Sequence, residues 1–149
     1  MITEHNKTTK RYELHEMLDQ LEKTEDRQKR IEGLRKFASQ YTSLKDYLRC
    51  LLDDRITFNL PEGRPPYTPA HEKMYPSTWH KKHMDLKYFV NGALSQNMNT
   101  VKRETMWIQL LESISPEDSL LIADVADKRS PYEWLTKDLV EEAIPGLIS

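Results

Sequence analysis

The sequence predicts an all-α chain: a single compact multi-helix domain whose two helical layers are joined by an ordered, proline-rich extended segment. Three observations predict it. Apolar residues recur at three- and four-residue spacings on both sides of a central break. Four of the eight prolines lie between Pro61 and Pro69, where they fix φ and remove backbone donors. The length of 149 residues suits one hydrophobic core and is short for two full domains. The chain is thus divided into N-terminal helices over residues 1–52, a strap over 53–79 and C-terminal helices over 80–149.

In the first part, Leu14, Met17, Leu18 and Leu21 share one helical stripe, leaving Lys7, Lys10, Glu16 and Glu22 for solvent. Thr24-Glu25-Asp26 supplies a cap and two carboxylates to the positive end of a second helix. That helix buries Ile31, Leu34, Phe37, Ala38 and Tyr41. Ser43 starts a third, with Asp46 three residues on as in a capping box, and Leu44, Tyr47, Leu48, Leu51 and Leu52 inward. Short joints favour antiparallel neighbours.

Character changes at Asp53. Ile56, Phe58 and Leu60 alternate with Arg55, Thr57 and Asn59, the period of an extended chain. The run from Pro61 to Pro69 cannot be helical. Phe58, Leu60, Tyr67, Met74, Tyr75 and Trp79 are too densely apolar for a disordered tether. A strap anchored through Phe58 and Leu60 is favoured over a free proline-rich ligand.

Helices resume with Met84, Leu86, Phe89 and Val90, ended by Asn91-Gly92 as a left-handed cap. Asn97 or Asn99 opens the next, with Val101, Thr105, Ile108 and Leu111 inward and Trp107 and Leu110 as further candidates. Ser115-Pro116-Glu117-Asp118 combines a cap, a first-turn proline and two acids at the positive dipole end. Leu120, Leu121, Ala123 and Val125 follow. Ser130-Pro131 restarts the chain, and Thr136 caps a last helix through Leu139, Val140 and Ala143 before Pro145-Gly146.

Composition narrows the function classes. The net charge of −2 gives no overall attraction to nucleic acid or an anionic membrane. It hides an asymmetry, since residues 104–149 hold 3 basic and 10 acidic side chains. Four glycines form no phosphate-binding fingerprint, and the lone Cys50 excludes an internal disulfide or a cysteine zinc finger. Cys50 is expected to be a small buried apolar group. No stretch is apolar enough to span a bilayer, and Met1-Ile2-Thr3-Glu4-His5 lacks the core of a secretory signal.

Candidate chemistry is sparse. His80 and His83 share a helix face and, with His71 or Asp85, outline a divalent-metal set. Lys81, Lys82 and Lys87 would place positive charge beside the ion, so surface histidines are the favoured reading. The same lysines with Lys102 and Arg103, near Trp79 and Tyr88, outline a nucleic-acid face. Its few cations limit the phosphates it can neutralise. Asp53 and Asp54 sit unfavourably at a helix end and call for Arg55, Arg49 or Arg64 as partners. No catalytic residue and no cofactor is expected. Protein contact remains, through Pro61, Gly63, Pro65, Pro66, Tyr67 and Trp79 on the strap and through Glu141 and Glu142 on an acidic C-terminal face.

Ile56-x-Phe58-x-Leu60-Pro61-Glu62-Gly63-x-Pro65-Pro66-Tyr67-x-Pro69 resembles a hallmark of small proteins of T-even-type tailed bacteriophages, including those of cyanobacteria. So do Val101-Lys102-Arg103-Glu104-x-x-x-Ile108-Gln109-Leu110-Leu111-Glu112, Ala126-Asp127-Lys128 with Pro131-Tyr132, and Ala143-Ile144-Pro145-Gly146-Leu147. Together these cover roughly residues 14–148, and the combination is more specific than any one piece. The resemblance implies a mainly helical phage protein in the host cytoplasm, and it supplies no catalytic residues. The resulting expectation is a non-enzymatic accessory protein that binds a host or phage protein, with transcription or replication machinery as the target class. Direct nucleic-acid binding and a virion-assembly role are the alternatives.

Overall fold

In the computed structural model, residues 11–148 are described; residues 1–10 and 149, with His5, Lys7 and Lys10, lie outside the described residues. Eight α-helices follow one another among the described residues: α1 (Leu14–Glu22), α2 (Arg27–Gln40), α3 (Thr42–Leu52), α4 (Trp79–Lys82), α5 (Ala93–Gln96), α6 (Thr100–Ser113), α7 (Pro116–Val125) and α8 (Lys137–Ala143). A 3₁₀ segment, His83–Tyr88, continues α4. No strand occurs among the described residues; Phe58 and Val90 form only an isolated antiparallel bridge. The all-α expectation holds.

The expected apolar faces of α1 and α2 are buried: Leu14, Met17, Leu18 and Leu21, then Ile31, Leu34, Phe37 and Ala38. Asp26 alone caps α2, accepting from the Gln28 amide at 2.9 Å. Thr24 does not cap it; its hydroxyl donates back to the Gln20 carbonyl at the end of α1. In α3 the expected Ser43–Asp46 capping box is absent. The helix starts one residue earlier, Ser43 is buried, and both side chains are drawn to histidines of α4 and the 3₁₀ segment.

Further departures lie in the second half of the chain. The helix expected over Met84–Val90 is a 3₁₀ segment, whose three-residue turn stacks Leu86 and Phe89 inward and leaves Met84 67% exposed. Gly92 has φ +144° and precedes α5, so it is a glycine-only extended kink and no left-handed cap. Helix α6 is rotated from the expected face: Val101 and Thr105 are exposed, and Trp107, Leu110 and Leu111 are buried. Arg103 sets that rotation by donating to the carbonyls of Asn59 (2.7 Å), Ser95 (2.9 Å) and Met98 (3.2 Å). Leu120 of α7 also faces outward.

The two layers pack directly. Helix α8 lies on α2, and α7 lies across α1 and α3 while packing on α6. Buried residues from Leu14 to Ile148 form one cluster, against which Ile56, Phe58, Leu60 and Tyr67 of the strap are half-buried. Asn99, Ser115 and Thr136 cap α6, α7 and α8 as expected, Asn99 being the choice between the two asparagines. No helix among the described residues is long and apolar enough to cross a membrane.

Candidate functional site

The strap is pinned along its length to the helices that follow it. Gly63 has φ +86°, a conformation that favours glycine, and its amide donates to Asp127 Oδ2 at 3.1 Å. The neighbouring Arg64 makes a forked ion pair with Asp124, at 2.7 and 2.9 Å. The Tyr67 hydroxyl is 3.3 Å from Ser119 Oγ, and the Thr68 amide donates to Glu112 at 2.7 Å. Asp124, Asp127 and Glu112 belong to the acidic C-terminal third, so part of that charge serves the strap.

Of the expected partner-binding residues, Pro61 and Pro66 are exposed, while Gly63, Pro65 and Tyr67 are half-buried. Between the strap and α6 lies a cavity of about 320 Å³ walled by Pro61, Pro65, Pro66, Trp107 and Ile108, with Glu104 at its side. Trp79 is not part of this surface. It is 1% exposed, opens α4, and its indole N–H donates to the Ser43 carbonyl at 2.9 Å. At the other end, Glu142 pairs with Arg27 at 3.1 Å, and the Glu141 carboxylate accepts from the Gly146 amide at 3.2 Å. Both remain exposed.

Among the described residues, His80 and His83 belong to no cluster of metal-ligating atoms. His80 Nε2–H donates to the Tyr12 carbonyl at 2.6 Å, leaving Nδ1 to accept from Ser43 Oγ at 2.5 Å, and the ring stacks on Tyr41. His83 Nδ1–H donates to Asp46 Oδ2 at 2.5 Å. Each ring therefore fastens the α4 region to α3 or its surroundings. Ser43–His80 has the separation of an activated serine. Ser43 is buried, however, and the far nitrogen meets a backbone carbonyl in place of the carboxylate of a triad.

Two members of the nucleic-acid set have partners of their own. Arg103 is committed to three carbonyls, and Lys87 lies 5.4 Å from the Tyr88 ring centroid. Lys81 and Lys102 are exposed.

Sequence reasoning missed one cluster. Glu13, His15 and Asp118 bring ligand-type atoms within 4.8 Å of one another. Asp118 Oδ1 accepts from the His15 amide (2.8 Å) and from His15 Nδ1 (2.7 Å), and Tyr75 donates to Glu13. Burial pulls the His15 pKa down, but the hydrogen bond and charge of Asp118, with Glu117 and Glu13, outweigh it and raise the value to about 9. The nitrogen facing the carboxylates thus holds its proton at neutral pH, and a cation would have to displace it. The signal was Asp118 itself, read as a helix-start acid, with its partner 103 residues away.

Asp53 is the other strong electrostatic site. Its buried carboxylate accepts from the Arg55 amide, Nε and Nη2 at 2.8–3.0 Å. These bonds hold its pKa well below the usual carboxylate range. Arg55 is one of the partners that the sequence called for, while Asp54 takes Lys137 at 2.6 Å.

No curated protein and no solved structure matches the chain. A family model does, over residues 17–130, a span running from α1 through the strap to the end of the α7 region. The chain therefore belongs to DUF6433, a family of unknown function, with the pinned strap inside the shared region and α8 outside it.

Proposed function

We propose that this protein is a non-enzymatic accessory factor that binds another protein through the outer edge of its proline strap. One observation carries the reading. The strap is locked to α6, α7 and the turn after α7, yet Pro61 and Pro66 face solvent beside the cavity over Trp107 and Ile108. A ledge already fixed in extended form loses little conformational freedom when a partner docks on it. The resemblance to small proteins of tailed phages supports an intracellular setting, the cytoplasm of an infected host cell. By analogy, host or phage transcription or replication machinery is the target class.

A photo-crosslinking residue placed at Pro66, with a control at exposed Glu25 in the α1–α2 turn, tests this in infected cells. The expected result is one discrete protein adduct from position 66 and none from position 25. Identical products at both sites, or none at 66, would overturn the proposal. Recovery of the protein as a component of purified particles would replace it with a virion-assembly role.

A further inference from the structure

Away from the proline run of the strap, a cleft of about 530 Å³ opens between α3 and the 3₁₀ segment. Its size falls in the range of small-molecule sites, about 300–1,000 Å³. Cys50, Ile56, Leu86 and Val90 supply apolar walls. Burial pushes the Cys50 thiol up to about 12, so this wall is uncharged.

The rim is made by Asp46, Arg49, His83 and Lys87. Asp46 is its single carboxylate and is already satisfied: Oδ1 accepts from Arg49 at 2.9 Å and Oδ2 from His83 Nδ1 at 2.5 Å. Donors remain in excess. Arg49 uses one nitrogen on Asp46, and the Lys87 ammonium forms no ion pair among the described residues. Two fixed cations against one anion leave the rim positive. An apolar interior under a positive, donor-rich rim is complementary to an aliphatic chain ending in one carboxylate.

We infer that this cleft binds a free medium-chain aliphatic carboxylate, with its chain against Cys50, Ile56, Leu86 and Val90 and its headgroup on Lys87 and Arg49. The inference does not depend on the strap reading. Its test is titration of the full-length protein with octanoate, followed by calorimetry and by amide chemical shifts. Saturable binding with shifts centred on residues 46–56 and 83–90 is expected. Octan-1-ol in place of octanoate, or Lys87→Glu, should each weaken binding about tenfold, the value of one charge-assisted hydrogen bond. Lys87→Gln serves as the milder variant, with a smaller loss, and circular dichroism checks that both variants fold. The proposal is overturned by absence of saturation, by equal affinity for the alcohol, or by shifts elsewhere. It is also overturned if a peptide ending in leucine binds more tightly than octanoate, which would make the cleft a peptide site.

Discussion

His15 and Asp118 show how two residues can carry a pH dependence for the whole chain. His15 titrates near 9, above its ordinary 6.5, because Asp118 holds the protonated ring. The native state therefore binds that proton more tightly than the unfolded chain does. The resulting stability is complete below about pH 6.5 and is lost as pH rises through 9. Asp53 works in the opposite sense. Its lowered pKa gives stability above the ordinary carboxylate value, lost as pH falls toward the depressed one. Urea denaturation at pH 6.5 and 9.5 should show the wild-type protein losing on the order of 1–2 kcal/mol, the shift discounted for the partial exposure of His15. His15→Gln should remove most of that pH-dependent loss. At this scale the sequence was half legible: Arg55 could be named for Asp53 because it lies two residues away, whereas nothing local connects His15 to Asp118.

At the scale of elements, the helix starts were readable and several helix ends were not. Asp26, Asn99, Ser115 and Thr136 cap the amides just downstream of themselves, so four residues of sequence contain the whole interaction. C-termini are closed here by long cations from elsewhere. Arg30 donates to the Leu21 and Glu22 carbonyls of α1, and Arg35 to Glu142 and Ala143 of α8. Lys128 reaches the Cys50 and Asp53 carbonyls at the end of α3, at 2.6 and 3.0 Å. Lys128 does this from φ +60°, a left-handed conformation that costs a non-glycine residue roughly 1–2 kcal/mol. Lys128→Met keeps the strain and loses the bonds, and should cost about 2–3 kcal/mol. Lys128→Gly loses the same bonds but relieves the strain, so its penalty should be about 1 kcal/mol smaller. Equal losses in thermal denaturation would show that the ammonium alone matters.

For the whole molecule, the division into two helical layers with an ordered strap followed from periodicity and proline placement, both properties of the chain's own order. What the strap holds, and which residues it exposes, depended on folding. Trp79 is expected among the strap's contact residues; it closes the core against Ser43 instead. Arg103 was counted among phosphate-binding cations, yet its guanidinium orients α6. The candidate site was legible as a segment and illegible as a surface, since exposure is decided by contacts across 44 to 64 residues of chain.

The pins at Gly63, Arg64, Tyr67 and Thr68 lead to α6, α7 and the turn after α7, while α7 and α8 are seated on α1, α2 and α3. Covalent continuity at Glu62–Gly63 is therefore expected to be dispensable for assembly. Fragments 1–62 and 63–149, co-expressed, should reconstitute a stoichiometric native heterodimer that survives gel filtration, the new ammonium terminus facing Asp127. Failure of the halves to co-elute would mean that the loop closure itself sustains the interface.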